Sequence, residues 1–564
     1  MADPDPQSGI IGRQANAFTQ NCKSGWKLLL KKGPSQLQFW FIALLIGIAA
    51  GFAALLFRKA IEALQAIIYD TDDVKHLSEF VTDLDWYWIV LIPILGGLLT
   101  GLILNRFTPD GRVRSVAEVI EGAALRNGRV EKRAGLASAA ASMITLSTGG
   151  STGREGPVVH LAGVISSWVC SLIKADGITG RDLLGCAVAA AVSASFNAPI
   201  AGTLFALEVV LRHFALHAFA PIAIASAAGT VINRLEYGDV TEFRLPAENI
   251  LSFYVELPAF LILGIISGLV AVLLMRSIFW ADDIGNHVQK ALKMPRWLRP
   301  AFAGGILGVI ALGFPHIIGV GYGTTSAALT GELLLYEAII FAMIKVVAVS
   351  ITMAGRMGGG VFSPSLMLGA LTGLSFGLIA TSVFPEVSGS ETLYALAGMG
   401  AVAAAVLGAP ISTTLIVFEL TGDWQTGLAV MVAVSLSTAL ASNLVDRSFF
   451  LTLLERRNIR LAAGPQAYLL SMFRVANVMR PPDHPQAATD EDIWLLIHEG
   501  VYIGPNATLE DAMPLFERTN QPFIPVIEMG EEGQPPGIHG ALFQVDALRE
   551  YNRALAATAA EEHS

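Results

Sequence analysis

Long apolar runs and short glycine- and proline-rich interruptions alternate along this chain. The runs from Phe39 to Phe57 and from Tyr87 to Leu104 each approach the roughly 20 residues that a helix needs to cross a bilayer. They predict membrane-spanning helices. Later runs are broken, around Gly149, Pro199, Gly358 and Pro410. A broken helix holds at membrane depth only where its freed backbone packs in protein or lines a watery cavity. The breaks therefore mark where a site is expected. The pattern changes at both ends. Residues 1–35 are polar and partly basic, and read as a cytoplasmic lead. Beyond Arg456 the chain turns polar, charged and proline-rich, and reads as a soluble segment.

Composition sharpens this picture. The 564 residues are 53% hydrophobic and 15% charged, with a mean hydropathy of +0.57, whereas an ordinary soluble domain is about 25% charged. A multi-pass protein of a cell or inner membrane is expected, in contact with lipid and with no nucleic-acid partner. The net charge of −10 sits mainly in the ends and a few loops and says little. Lys23, Lys27, Lys31 and Lys32 precede the first span, and Arg456, Arg457 and Arg460 follow the last. The positive-inside rule then puts both termini in the cytoplasm, with an even number of crossings. The N-terminus lacks a signal-peptide pattern. Cys22, Cys170 and Cys186 have no metal spacing, and the last two read as small core residues. His160, His213 and His217 likewise read as packed or interfacial. No metal and no cofactor is expected.

An internal repeat is visible. "NAPIAGTLFALE" begins at Asn197 and "GAPISTTLIVFE" at Gly408, an offset of 211 (408 less 197), with six of twelve positions identical. Upstream of each is a glycine-rich break ending in proline: "GGSTGREGP" at Pro157 and "GGGVFSP" at Pro364, an offset of 207 (364 less 157). Matching breaks in two halves are the best sequence pointer to a transporter-type site between repeats. A helix that starts at membrane depth leaves N–H groups open and carries partial positive charge there. Gly153 and Gly156 let an ion approach the backbone, and Arg154 adds positive charge, so the first break suits an anion. Gly360, Val361 and Phe362 offer the same from the second half.

Glu155 then has a role. An ionisable side chain at the bilayer centre costs about 2.5–3.5 kcal/mol on insertion scales. Its carboxylate can occupy the anion position, yield it to a permeating ion, and be released on protonation, which describes a gate. A structural pairing with Arg154 is the blander alternative. Glu208 and Glu419, matched across the repeat, are expected to hold helix ends or loops. Lys345 either adds positive potential to the path or snorkels to an interface. The sequence carries no HExxH and no Walker motif, and no nucleophile elbow of the GxSxG kind and no catalytic aspartate pair are read in the spans, so an enzyme is not expected. A cation-coupled solute symporter is a competing class, but glycine-rich helix starts beside Arg154 favour anions.

"GREGP" from Gly153, "GGGVFSP" from Gly358 and "FNAPIAGTLFALE" from Phe196 resemble the signature segments of the CLC chloride channels and chloride/proton antiporters. The resemblance covers roughly residues 36–460. It implies an all-α polytopic protein of two inverted-topology repeats with broken helices, about 36–235 and 250–450, forming a homodimer with one pore per subunit. It also implies that Glu155 is the gating glutamate and that Gly360, Val361 and Phe362 donate backbone N–H groups to a central anion. Three departures stand out. In "RSVAEVIEGAA" Ser115 fits the family's filter serine, while Val116 and Glu118 replace its glycine and proline. Phe450 aligns with the family's central tyrosine, keeping the ring and losing the hydroxyl. Val209 stands where many antiporters carry an inner proton glutamate. This favours passive conduction, in the manner of voltage-gated chloride channels, over chloride/proton antiport, although no repeated-arginine sensor helix is present.

Residues 470–550 resemble a CBS-type module, a small cytoplasmic α/β domain, before a tail at 551–564. The expected elements are a helix from Thr508, a strand at Phe523–Ile527, then a turn, a strand and a helix through Asp546. Asp546 matches a ribose-binding position, but Phe543 replaces the hydroxyl residue three positions earlier, so a dimerising cap is favoured over an adenine-nucleotide site.

Overall fold

A computed structural model describes residues 35–71, 77–82, 84–175, 177–214, 216–238, 243, 253–459, 461, 470, 473–505, 507–528 and 537–562. The basic N-terminal lead with its lysines, Cys22 and Arg460 lie outside the described residues. The first half runs through α1 (Gln36–Tyr69), α2 (Leu77–Thr82), α3 (Trp86–Phe107), α4 (Val116–Leu125), α5 (Lys132–Ser147), α6 (Glu155–Ile173), α7 (Gly177–Phe196), α8 (Pro199–Phe205), a π-helical turn Ala206–Leu211, and α9 (Leu216–Tyr237). The second comprises α10 (Phe253–Ala291), α11 (Arg299–Gly313), α12 (Tyr322–Leu329), α13 (Leu335–Ala354), α14 (Phe362–Val383), α15 (Glu391–Leu407), α16 (Pro410–Thr421), α17 (Trp424–Leu444) and α18 (Phe449–Glu455). Eight helical segments among the described residues are long and apolar enough to cross a membrane.

These helices are amphipathic by size rather than by polarity. In α1 the buried face is Ala43, Ile46, Gly47, Ala50, Gly51 and Ala54, while Phe41, Leu45, Phe52 and Leu56 are exposed. Where lipid is as apolar as leucine, small residues let backbones approach and dispersion does the rest. α1 meets α9 this way: a Cβ on Gly47 would lie 2.6 Å from the Ala225 backbone. α14 and α15 do the same, since a Cβ on Gly369 would lie 2.3 Å from the Gly398 carbonyl oxygen. Cys170 and Cys186 are fully buried among such helices, as the sequence suggests. The first span is longer than the Phe39–Phe57 run, because helix continues through the polar Arg58–Gln65 stretch.

Beyond α18 lies a small α/β unit with α19 (Val475–Val478), α20 (Asp490–His498), α21 (Leu509–Thr519), β1 (Phe523–Glu528), β2 (Gly537–Phe543) and α22 (Gln544–Glu562). Thr508 caps α21 by accepting from the Asp511 N–H. β1 and β2 pair antiparallel, Phe523 opposite Phe543. Leu509, Phe516, Ile524, Val526 and Leu542 form its core. The helix, strand and strand–helix elements expected from the sequence are present.

Candidate functional site

The two breaks meet. Gly153 N–H donates to the Gly360 carbonyl at 2.7 Å, and Gly360 N–H donates back to Gly153 at 2.8 Å. Thr152 Oγ1 donates to the same Gly360 oxygen at 2.9 Å. Further out, Ser151 N–H donates to Thr352 Oγ1 and Gly358 N–H to Thr145 Oγ1. Backbone freed by the breaks in one half is thus satisfied by the other, as a low-dielectric interior requires. α6 then starts at Glu155 and α14 at Phe362, side by side. Each has proline third, Pro157 and Pro364, where the missing N–H belongs to the unpaired first turn anyway.

Glu155 is 2% exposed. Its Oε1 accepts a 2.5 Å bond from Ser363 Oγ on the first turn of α14. A carboxylate from one half therefore rests on the helix start of the other. Ser363 was not singled out in the sequence. Its place one residue before Pro364, in the first turn of the second break, was the available signal.

Beside this point lies a cavity of about 280 Å³ lined by Ser115, Gly359, Gly360, Val361 and Phe450, among others. Ser115 is the N-cap of α4. Gly156 must be small here: a Cβ on it would lie 2.4 Å from Ser115 Oγ. The structure thus gathers Ser115, Gly153, Glu155, Gly156, Gly360, Val361 and Phe450. Two other side chains point away from it, although the backbone N–H of Phe362, the group expected to donate, directly follows Val361 at the same helix start. The Arg154 guanidinium lies over the Tyr322 ring, 5.1 Å from its centroid, in a second cavity of about 80 Å³ with Arg58 and His316. The Phe362 ring packs on Phe196 and Phe205, at 4.7 and 5.8 Å between centroids. Those rings come from "FNAPIAGTLFALE", so two of the signature segments are in direct contact. Val209 is buried in the π-helical turn. Asp546 lies in the C-terminal unit, where its oxygens bond Arg480 at 2.6 Å and Arg549 at 3.4 Å.

Glu208 and Glu419 do hold helix ends, and they do so reciprocally. Glu419, on α16, accepts from the N–H groups of Ile200 and Ala201 at the start of α8, at 2.9 and 2.8 Å. Glu208, in the π-helical turn after α8, accepts from Ile411 and Ser412 N–H at the start of α16, at 2.9 and 2.8 Å, and from Ser412 Oγ at 2.6 Å. Each repeat caps the other's helix.

Lys345 does not snorkel. It is 1% exposed, and its ammonium faces the Ile317 and Gly319 carbonyls at 3.5 and 3.4 Å. Its stem is enclosed because Lys345 stands on the inward face of α13, whose outward face carries the exposed Met343 and Val347. His160 is buried, and His217 Nε2 stands 3.5 Å from Asp182. No cluster of metal-ligating side chains occurs among the described residues.

Paired repeats whose broken helices meet at a buried carboxylate and a small polar cavity define a polytopic membrane protein built around a central site. Residues 96–442 match the family model described as voltage gated chloride channel, and the chain belongs to that family. It is 30% identical over 396 residues to the putative chloride channel protein ClcB-like of Ralstonia nicotianae, covering 70% of this chain and 91% of the relative. It is 30% identical over 446 residues to the H(+)/Cl(-) exchange transporter ClcA of Cronobacter sakazakii, covering 78% and 94%. Among solved structures its fold matches that of a slow cyanobacterial Cl−/H+ antiporter, with a TM-score of 0.66 at 21% identity, covering 75% of this chain and 98% of the other. The family resemblance drawn from the three segments is borne out.

Proposed function

We propose that the protein carries chloride across the membrane by passive conduction, past Ser115, Gly360, Val361 and Phe450, with Glu155 as the gate. One observation carries the reading: the Glu155 carboxylate rests on Ser363 where two helix starts converge. An anion suits that position because open N–H donors and partial positive charge face it. Its hold is by a hydroxyl, and a permeating ion must be able to leave. Protonation neutralises the carboxylate and frees the position for chloride. The relatives support transport rather than catalysis, one named as a channel and one as an exchanger. Val209 favours the channel, since it offers no proton acceptor on the other side of the site.

Two subunits are proposed. Ile200 and Ile411, the matching isoleucines of the repeat, are 54% and 46% exposed at the adjoining starts of α8 and α16. That apolar face suits a second copy. The C-terminal unit is proposed as a CBS-like cytoplasmic cap without nucleotide, because Arg480 and Arg549 already occupy Asp546. Both termini then face the cytoplasm.

The test is chloride efflux from proteoliposomes with simultaneous proton recording. Chloride flux without coupled proton movement is the expected result. Protons driven uphill by a chloride gradient would make the protein an antiporter with a proton route that bypasses Val209. An absence of anion flux would return the symporter reading.

A further inference from the structure

Glu155 is not alone in resting a carboxylate on a helix start at this site. Glu118 lies on the first turn of α4, 8% exposed, in the wall of the Ser115 cavity. Its Oε2 accepts a 2.7 Å bond from the Ser115 backbone N–H. That N–H is among the donors a helix start leaves open and an anion would otherwise take. Glu118 Oε1 is held by Arg457 Nη1. Arg457 follows α18, the helix that brings Phe450 to the cavity. The preceding Arg456 reaches instead to Asp283 on α10. Two consecutive arginines thus clip the end of α18 to two different walls.

The charges lining this cavity are Arg112, Arg356, Arg456 and Arg457 against Glu118, Asp282 and Asp283, four cations to three anions. With the Glu118–Arg457 pair intact, the pair itself is neutral to an anion at Ser115. Removing Arg457 would leave a buried carboxylate beside the path without its bonded cation, facing only the more distant charge of Arg114.

We propose that Glu118 is a second tethered anion, competing with the permeating ion for the start of α4, and that Arg457 is the positioning residue that parks and neutralises it. The inference rests on the reading of this cavity as the anion path. Glu155 and Glu118 then bracket the site from the starts of different helices. Glu155 is held by a hydroxyl, and Glu118 is latched by a guanidinium attached to the chain that leads to the C-terminal unit.

Full-length Arg457→Gln, Glu118→Gln and the double variant test this, by chloride efflux from proteoliposomes and by calorimetric chloride titration of purified protein. Arg457→Gln is expected to weaken chloride binding at least about tenfold, as an unpaired like charge a few ångströms away should. Glu118→Gln is expected to tighten it. The double variant is expected to return to within about threefold of the wild type. If both single variants bind chloride as the wild type does, the inference is overturned. A double variant no better than Arg457→Gln also overturns it, since the pair would then be only a brace. Arg457→Lys keeps the charge while breaking the fork geometry. It serves where the glutamine variant is not monodisperse, and chloride affinity falling tenfold in it would count against charge compensation. Wild-type protein without chloride flux would sink the anion-path reading itself, a separate outcome.

Discussion

At Glu155-Gly156-Pro157 and at Phe362-Ser363-Pro364 the chain begins a helix in the same way, with the preceding glycine bridged to its counterpart across the repeat. What stands at each position differs. The first half supplies a carboxylate, the second a ring and the hydroxyl on which that carboxylate rests. One residue earlier than each bridged glycine, the first half has Thr152 and the second Gly359. The Thr152 side chain fills the space in front of Gly359. The two halves share a backbone plan and divide the side-chain chemistry, so neither break works as a site by itself.

The largest effect is expected where the halves interlock. Gly359 has φ +133, and a Cβ on it would lie 2.0 Å from Thr152 Oγ1. Gly359→Ala combines backbone strain with overpacking, about 1–3 kcal/mol each. A large fall in thermal midpoint, or loss of monodisperse protein, is expected. Adding Thr152→Ala should recover the overpacking share and leave the strain. A double variant no more stable than Gly359→Ala would mean that the two breaks are not in contact as described.

Next come the two residues that divide the gate. Glu155→Gln should make chloride flux independent of pH, whereas wild-type flux should rise as pH falls and the carboxylate is protonated. Ser363→Ala removes the 2.5 Å bond that parks the carboxylate. A hydrogen bond to a charged group contributes about 1.5–3 kcal/mol. Flux at neutral pH should therefore rise about tenfold or more with pH dependence retained. Flux in Glu155→Gln that follows pH as the wild type does would remove Glu155 from the gate.

Much of this was legible in the sequence for a physical reason. A backbone break at membrane depth needs glycine and proline, and those residues announce themselves, which is why the breaks and the repeat could be located. The partners of a break could not be read, because they arrive from the other half. Ser363 under Glu155, Thr145 and Thr352 under the flanking amides, and the crossed caps of Glu208 and Glu419 are all contacts across about 200 residues of sequence. Lys345 stayed open between two readings for the opposite reason: the chain shows a lysine in an apolar helix, and only packing decides whether its stem reaches water. One local signal was there to be taken. Ser115-Val116-Ala117-Glu118 has the capping-box spacing, and the structure makes the half of it that runs from the Ser115 N–H to Glu118.

The crossed caps give a finer test of the symmetry. Glu419 satisfies two backbone donors and Glu208 satisfies two and a hydroxyl. Replacing either by alanine leaves donors of the opposite repeat unpaired, at about 1–3 kcal/mol. Thermal unfolding in detergent should fall in both variants, and further in Glu208→Ala. Equal losses would mean that the Ser412 hydroxyl adds nothing, and the caps would then be symmetric in energy as well as in plan.

The smallest effect belongs to the loop that leads the first half into α4. Arg114 bonds Asp110 at 3.0 Å and Glu131 at 3.2 Å, and Arg126 also bonds Glu131, at 3.1 Å. Partial burial pushes both carboxyls upward, but the arginine charges and bonds outweigh it and hold both below their ordinary values. A carboxyl depressed in the folded state adds stability that is full above its unfolded value, about pH 4, and is lost as pH falls through the folded one. Both side chains are more than a third exposed, so solvent screening limits each pair to about 1 kcal/mol or less. Arg114→Gln should therefore lower the thermal midpoint slightly at pH 7, and the gap from the wild type should close on acidification below about pH 4. A gap that persists there would show that Arg114 stabilises the loop through packing rather than charge, and the entry to α4 would then depend on its shape alone.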